Sequence, residues 1–462
     1  MIEGRWSLVA TKKLLENKLI RVAIFFILIS TLFLPSIEIF GINLRPENII
    51  SLIALPFLIH GFILRRIKLN FLDLSFVFLA VSFFATIVNS YLINNSPIYW
   101  RDFLDLFRVL NYYLIFRFVF MFFDKKNILE SFNRVFLLSG AGVMFIAIFQ
   151  YFDLFYVNKI LYLYTSYFHI RGVLISGRPI GTFGHTNEFG LFVAIYIIFI
   201  VSLMLLHKFE SLKKMIKDLS GKMAFLLIAF IALFMSMSRS ALLSLFIGLG
   251  SVYFLFIVFH HEKEKIKKIL FTLFVVFFVS FSSLFFVKWL SGEFNRANIG
   301  DRFEAGFYEF SEDEGLDVLQ SKSFSKRLKQ WVGAVDVISE NPIFGYGPSK
   351  ATKGDDVRPE LVENEYLNIT MNYGVVGLMA YIFIYLILAR VSLKSIAKGK
   401  LGPSLVYSYW AIGILMALFL YNIFLGVYYR TQTFNLLIII FSVLLIHNKK
   451  LLEINTEEDG EN

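Results

Sequence analysis

The stretch EFGLFVAIYIIFIVSLMLL, residues 188–206, decides the fold. Past its leading glutamate it carries no charged residue through Leu206. As an α-helix such a run covers about 30 Å, the thickness of a bilayer's hydrocarbon core. Bulk composition agrees with a membrane origin for the whole chain. Of 462 residues 57% are hydrophobic, 55 are Phe and only 17% are charged, with a mean hydropathy of +0.67. A soluble domain carries roughly 25% charged residues. Cysteine is absent, which excludes disulfides, thiolate metal sites and a cysteine nucleophile.

Outward from 188–206 in both directions, about twelve apolar stretches of spanning length recur. They lie near 20–36, 48–64, 71–93, 104–123, 132–152, 188–206, 222–237, 241–259, 269–289, 372–389, 405–425 and 431–447. The expected fold is therefore an all-α integral membrane protein of about 12 helices, with a large extracytoplasmic loop between helices 9 and 10. Residues 1–289 hold helices 1–9 with an outer loop at 153–187, 290–371 form the large loop, 372–447 hold helices 10–12, and 448–462 form a tail. The residues MIEGRW contain a tetrapeptide also used as an engineered protease site and carry no weight. The basic segment after them runs into apolar residues without a small-residue cleavage site, and reads as a first spanning helix, not a removed signal peptide.

Lys and Arg crowd every second connection. They cluster at Lys12, Lys13 and Lys18, at Arg65, Arg66 and Lys68, at Lys125, Lys126 and Arg134, and at Lys208, Lys213, Lys214 and Lys217. The series continues with Lys263, Lys265, Lys267 and Lys268, then Arg390, Lys394, Lys398 and Lys400, and ends at Lys449 and Lys450. By the positive-inside rule these loops and both termini of the multi-pass chain are cytoplasmic. The formal net charge of +10 is partly this topology signal, so the basic balance requires no nucleic-acid partner.

Two outward connections are long. The first ends in ISGRPIGTFGHTNEFG, residues 175–190, which sets an arginine, a histidine, an asparagine, a glutamate and several glycines at the start of the 188–206 helix. The second, 290–371, holds the acidic run EAGFYEFSEDEGLD (304–317) and then SKRLKQWVGAVDVISE (325–340). In the latter Leu328, Trp331, Val335 and Ile338 recur at helical spacing, and NPIFGYGP (341–348) supplies turn chemistry. This segment is expected to lie on the membrane surface as a lid.

Once the cytoplasmic cations are set aside, several outward arginines are unexplained by topology. Arg101 and Arg108 flank Asp105 in WRDFLDLFRVL (100–110) at spacings that put all three on one helix face. Arg171 and Arg178 lie in the first polar outer loop, and Arg239 sits in a very short hinge, MSMSRSALLS (235–244). A planar, permanently charged guanidinium grips phosphate oxygens bidentately, so arginines converging at one membrane face point to a lipid-linked phosphate or diphosphate. Singly, each also fits a headgroup contact or a pair with an acid such as Asp105.

The succession GRPIGTFGHTNEFG (177–190), SMSRSALLSLFIG (236–248), RLKQWVGAVDVISENPIFGYGPSK (327–350) and VENEYLNITMNYGVVGLMAYIF (362–383) resembles the O-antigen polymerase and ligase family of bacterial envelope glycosyltransferases. The resemblance implies a polytopic enzyme that takes a saccharide from a polyprenyl-diphosphate-linked oligosaccharide on the outer face of the cytoplasmic membrane. The acceptor is an acceptor glycan or a lipid-linked glycan, and the lipid bilayer is the surrounding partner. By the match, Arg178, Arg239 and Arg327 correspond to the family's functional arginines; Arg171, Arg101, Arg108, Asn187, Asn364 and Tyr366 are further expected contacts for diphosphate and sugar. No cofactor and no metal ligand set is implied.

In the ligase branch a histidine before the tenth span is the expected base. Here that segment reads ENEYL, with Glu363 in its place and no histidine between His261 and His447. That favours a polymerase of surface polysaccharide, with Glu363 as the base that activates the acceptor hydroxyl and His185 as a second proton acceptor or a turn anchor to Asn187. A diphosphate leaving group needs little protonation near neutral pH, so fixed cations and one base suffice. Two other readings stand beside it: a ligase that transfers glycan to lipid A core, and a transporter or flippase of a lipid-linked or anionic solute. Against transport, few ionisable residues fall inside the spans, and no pair of interrupted helices appears in two halves.

Overall fold

The computed structural model describes residues 22, 26–39, 42–63, 71–92, 102–122, 128–164, 177–206, 212–259, 265–293, 322–347, 362–398 and 405–460. The helices are α1 (26–33), α2 (Pro46–Ile63), α3 (Phe71–Leu92), α4 (Asp102–Phe122), α5 (Ile128–Phe152), α6 (Thr186–Leu205), α7 (Leu212–Ser236) and α8 (Arg239–Phe259). After them come α9 (Lys265–Glu293), α10 (Lys322–Glu340), α11 (Glu365–Lys398), α12 (Val406–Phe424) and α13 (Thr431–Gly460). The described residues are helical as expected, save for one short antiparallel pair of strands, Ile37–Ile39 with Ile42–Leu44. Among the described residues, seven helices (α3, α5, α6, α8, α9, α11 and α12) are long and apolar enough to cross a membrane. The acidic run 304–317 lies outside the described residues.

The decisive stretch becomes α6, the axle of the bundle. Helices α5, α7, α8 and α12 pack around it, and 94% of its apolar window is buried inside the protein. A helix apolar on every side satisfies its surface only when other helices or lipid enclose it, and here it is helices. The opposite case is α9, of which 22% of the window is buried; Phe274, Phe277, Phe278, Phe281 and Phe285 stand outward on it, as a lipid-facing surface requires.

Helices α8 and α12 cross at the closest approach the backbone allows. A β-carbon on Gly248 would lie 2.8 Å from the carbonyl oxygen of Gly413, so a larger residue at either position forces the pair apart. Small residues at such crossings recover van der Waals contact that apolar lipid does not otherwise favour.

Helix α10 packs on α11, but its buried stripe is rotated from the expected one. Ala334 and Val337 are buried with Val362 and Met371, and Trp331 and Ile338 pack against them. Val335 is 53% exposed. The spacing 328/331/335/338 and the spacing 331/334/337/338 both fit a helix, and the small Ala334 settles the matter by letting α10 approach α11 closely.

The connections alternate between the two ends of the bundle. The C-terminal ends of α5, α7 and α12 and the N-terminal ends of α6, α8, α11 and α13 share one end. The connections 123–127, 207–211, 260–264 and 399–404, which together with the helix ends beside them hold the lysine clusters, join the other ends.

Candidate functional site

At that first end, a cavity of about 440 Å³ is lined by Arg178, His185, Asn187, Arg239, Arg327, Glu363, Glu365, Asn368, Gly426, Tyr429 and Arg430, among others. The loop before α6, the hinge between α7 and α8, helix α10, the start of α11 and the turn between α12 and α13 each contribute.

Arg178 is aimed by backbone and side-chain acceptors. Its Nε donates to the carbonyl oxygen of Ser236 at 3.0 Å, and its Nη2 to Oδ1 of Asn187 at 3.2 Å. The same Asn187 oxygen accepts from Ser238 Oγ at 3.0 Å, which ties the loop to the hinge. That hinge is two residues, Met237 and Ser238, with Met237 in the left-handed region at φ 50°. Its tightness sets Arg239 at the first turn of α8, on the cavity wall. Gly190 lets α6 pass beneath, since a β-carbon there would lie 2.8 Å from Cβ of Ser238. Arg239 has no hydrogen-bond or ion-pair partner among the described residues, so its guanidinium is available to a ligand.

The loop carrying Arg178 is clamped from α5. Buried Gln150 accepts the N–H groups of Ile180 (3.1 Å) and Gly181 (2.8 Å) through Oε1 and donates from Nε2 to the Gly181 carbonyl at 2.6 Å. From α13, Gln432 donates to the carbonyl oxygens of Thr31 (3.0 Å) and Thr182 (3.1 Å). A buried ion pair, Arg45 with Glu47 at 2.8 Å, continues this support, and Asn435 donates to the same Glu47 oxygen at 3.0 Å.

His185 is the N-cap of α6, with Nδ1 accepting the N–H of Asn187 at 3.1 Å. In this arrangement the neutral ring carries its proton on Nε2 and serves as a donor. Arg327 on α10 donates from Nε to Oε2 of Glu363 at 2.6 Å, the pair one-quarter to one-third exposed. Arg430 faces Glu188 at 3.5 Å, and Glu188 also accepts from Thr433 at 3.1 Å. Burial pushes the phenols of Tyr428 and Tyr429 well above their ordinary pKa, so both stay neutral. Four arginines against two glutamates leave the cavity wall net positive.

The position of the α11 start is fixed by an interlock. Gly374, with φ 66° and ψ −174°, breaks α11 after Tyr373. Segment 342–347 runs across the break, with Tyr346 N–H donating to Met371 O (3.1 Å), Gly347 N–H to Asn372 O (2.8 Å) and Val375 N–H to Pro342 O (2.8 Å). The turn sequence NPIFGYGP and the sequence MNYGVVG thus grip each other and hold residues 363–373 at the cavity.

Of the residues singled out in the sequence, Arg178, His185, Asn187, Arg239, Arg327 and Glu363 come together on this wall. Three others have different surroundings. Arg108 pairs with Asp105 and stacks over Tyr429 at 5.0 Å, behind the wall. Asn364 caps α11, its Oδ1 accepting the Leu367 N–H at 3.0 Å, and Tyr366 donates to the Phe419 carbonyl at 3.1 Å. Arg101 and Arg171 lie outside the described residues. Sequence reasoning missed Glu365, Arg430, Asn368 and Tyr429. Arg430 carried a usable signal, being an arginine in a connection of the outward parity.

Residues 224–382 match the family described as O-antigen ligase. Over that segment the chain is similar to the O-antigen ligase family. The matched segment contributes Arg239, Arg327, Glu363 and Glu365 to the cavity, whereas Arg178, His185 and Arg430 come from outside it. No curated protein matches the chain.

Proposed function

We propose that this protein polymerises a surface polysaccharide, transferring glycan from a polyprenyl-diphosphate-linked oligosaccharide to an acceptor saccharide at the outer face of the cytoplasmic membrane. The observation that carries the reading is the convergence of Arg178, Arg239, Arg327 and Arg430, from four separate segments, on one cavity. The family domain gives the chemistry its class, glycosyl transfer.

A glycosyl diphosphate reacts by losing its diphosphate, and negative charge grows on that group as the bond to the anomeric carbon breaks. Guanidinium groups fixed before the reaction stabilise that charge without reorganising. Arg239, with no partner among the described residues, offers its full fork to the phosphates. Arg178, aimed by its bonds to Ser236 and Asn187, sets a second fixed positive charge on the same wall. The acceptor hydroxyl loses its proton to a carboxylate at the start of α11, where the family resemblance puts Glu363 forward. Asn368 and Tyr429 on the same wall are hydrogen-bonding groups suited to sugar hydroxyls.

Transfer to lipid A core is the second reading, and the family's description favours it. The glutamate at the position where the ligase branch has histidine favours polymerisation. The deciding experiment gives the purified protein in lipid vesicles a polyprenyl-diphosphate oligosaccharide, with and without a lipid A core acceptor. Chain extension supports the polymerase, and product only on lipid A core supports the ligase. Neither transfer nor binding returns the protein to the transporter class.

A further inference from the structure

Two carboxylates two residues apart line the cavity, and their surroundings differ. Oε2 of Glu363 is held by Arg327, with both side chains partly exposed at the rim. That hydrogen bond is charge-assisted and ties the orientation of the carboxylate to Arg327. Glu365 is fully buried. Its Oε1 accepts the N–H of Tyr428 at 3.2 Å, and its Oε2 has no hydrogen-bond partner among the described residues. Buried carboxylate oxygens are usually satisfied, and an unpartnered one in the wall of a ligand cavity is an acceptor that a hydroxyl of the ligand can satisfy.

The backbone protects that opening. Gly426, in the turn after α12, lies against the carboxylate so closely that a β-carbon would fall 1.9 Å from Oε2. Any side chain at 426 therefore displaces the Glu365 carboxylate. The same turn carries Tyr429 and Arg430 to the cavity wall.

We propose that Glu365, through Oε2, takes the proton of the acceptor hydroxyl, while Glu363 serves to hold Arg327 in place. The proposal rests on the glycosyl transfer argued above. In the step, the acceptor oxygen bonds to the anomeric carbon as that carbon's bond to the diphosphate oxygen breaks. The electron pair of the broken bond leaves on the diphosphate, and the acceptor's proton passes to Oε2. No further reactant is required.

The test measures chain extension and donor binding by the full chain in lipid vesicles, for the wild type and for Glu365→Gln, Gly426→Ala and Glu363→Gln. Glu365→Gln is expected to lower kcat by about 10²–10⁴-fold, the usual contribution of a general base, with donor affinity within about twofold of wild type. Gly426→Ala retains the carboxylate but shifts it, and is expected to lower kcat in the same direction. It carries the test if the glutamine variant fails to insert. Glu363→Gln is expected to raise KM for the donor more than it lowers kcat, because it loosens Arg327. Extension by Glu365→Gln at near wild-type rate, or loss of turnover in Glu363→Gln alone, overturns the assignment and leaves the transferase reading standing. A wild-type protein that neither extends nor binds the donor overturns both.

Discussion

The α-carbon of Gly374 faces the carbonyl of Ile343 so closely that a β-carbon would sit 2.0 Å from its oxygen. This contact joins the segment after α10 to the break in α11, and it holds what the cavity takes from residues 363–373. With φ 66° and ψ −174°, Gly374 also occupies a backbone region essentially reserved for glycine. Gly374→Ala therefore meets both a clash with backbone and a conformational cost of about 1–3 kcal/mol. The expected outcome is a lower thermal unfolding midpoint in detergent and loss of activity together. Wild-type stability in this variant would mean that the interlock is not what fixes the α11 start.

Arg178 and Arg239 are expected to respond differently to lysine. Arg178 spends Nε on the Ser236 carbonyl and Nη2 on Asn187, so Arg178→Lys loses its anchors together with its fork. Arg239→Lys loses only the fork. A hydrogen bond to a charged group contributes about 1.5–3 kcal/mol, so each variant is expected to lose roughly ten- to hundredfold in donor affinity or turnover. Membrane insertion is expected to survive in both, with the greater loss in Arg178→Lys. Wild-type turnover in both variants would reduce these arginines to headgroup anchors.

The structure shows why some of this was legible in the sequence and some was not. Spans such as α6 are encoded in the run itself, because length and apolarity alone require burial in lipid or helices. The turn residues around Arg178 and Arg239 were equally legible, since glycines in the one and serines in the other set a charge between two apolar runs. Glu365 was not, because ENEYL presents two glutamates and only the packing of Gly426 and Tyr428 tells them apart. Gln150 gave no signal either, as a single amide within an apolar helix looks the same whether it clamps a loop or faces a neighbour. The rotated stripe of α10 failed for a related reason: periodicity fixes that a helix is amphipathic but leaves adjacent phases nearly equivalent when valines occupy both.

Gln150 yields a prediction of its own. It satisfies two N–H groups and one carbonyl of the loop that presents Arg178. Gln150→Leu keeps the volume but strands these backbone groups in a buried setting, at about 1–3 kcal/mol for each left unsatisfied. Reduced thermal stability and weaker donor binding are expected to appear together. Gln150→Glu, which still accepts both N–H groups, is expected to fall between the leucine variant and wild type. An undisturbed donor affinity in Gln150→Leu would show that Arg178 is held by Ser236 and Asn187 alone.

The cavity and the lysine clusters lie at opposite ends of the same helices, and this makes orientation testable without touching the site. The ends of α5 to α8 and α11 to α13 that build the cavity share one parity, and the connections 123–127, 207–211 and 260–264 have the other. Lysine and arginine are retained on the cytoplasmic side, so the cavity end is expected outside, where the finished lipid-linked donor would be met. The chain has no cysteine, so single introduced thiols report position without background. Asp313→Cys in the large loop is expected to react with a membrane-impermeant maleimide in intact cells whose outer membrane has been opened. Lys214→Cys is expected to react only after the inner membrane is broken. The reverse pattern would put the arginines in the cytoplasm, and a transferase working on the outer face would then have its site on the wrong side of the membrane.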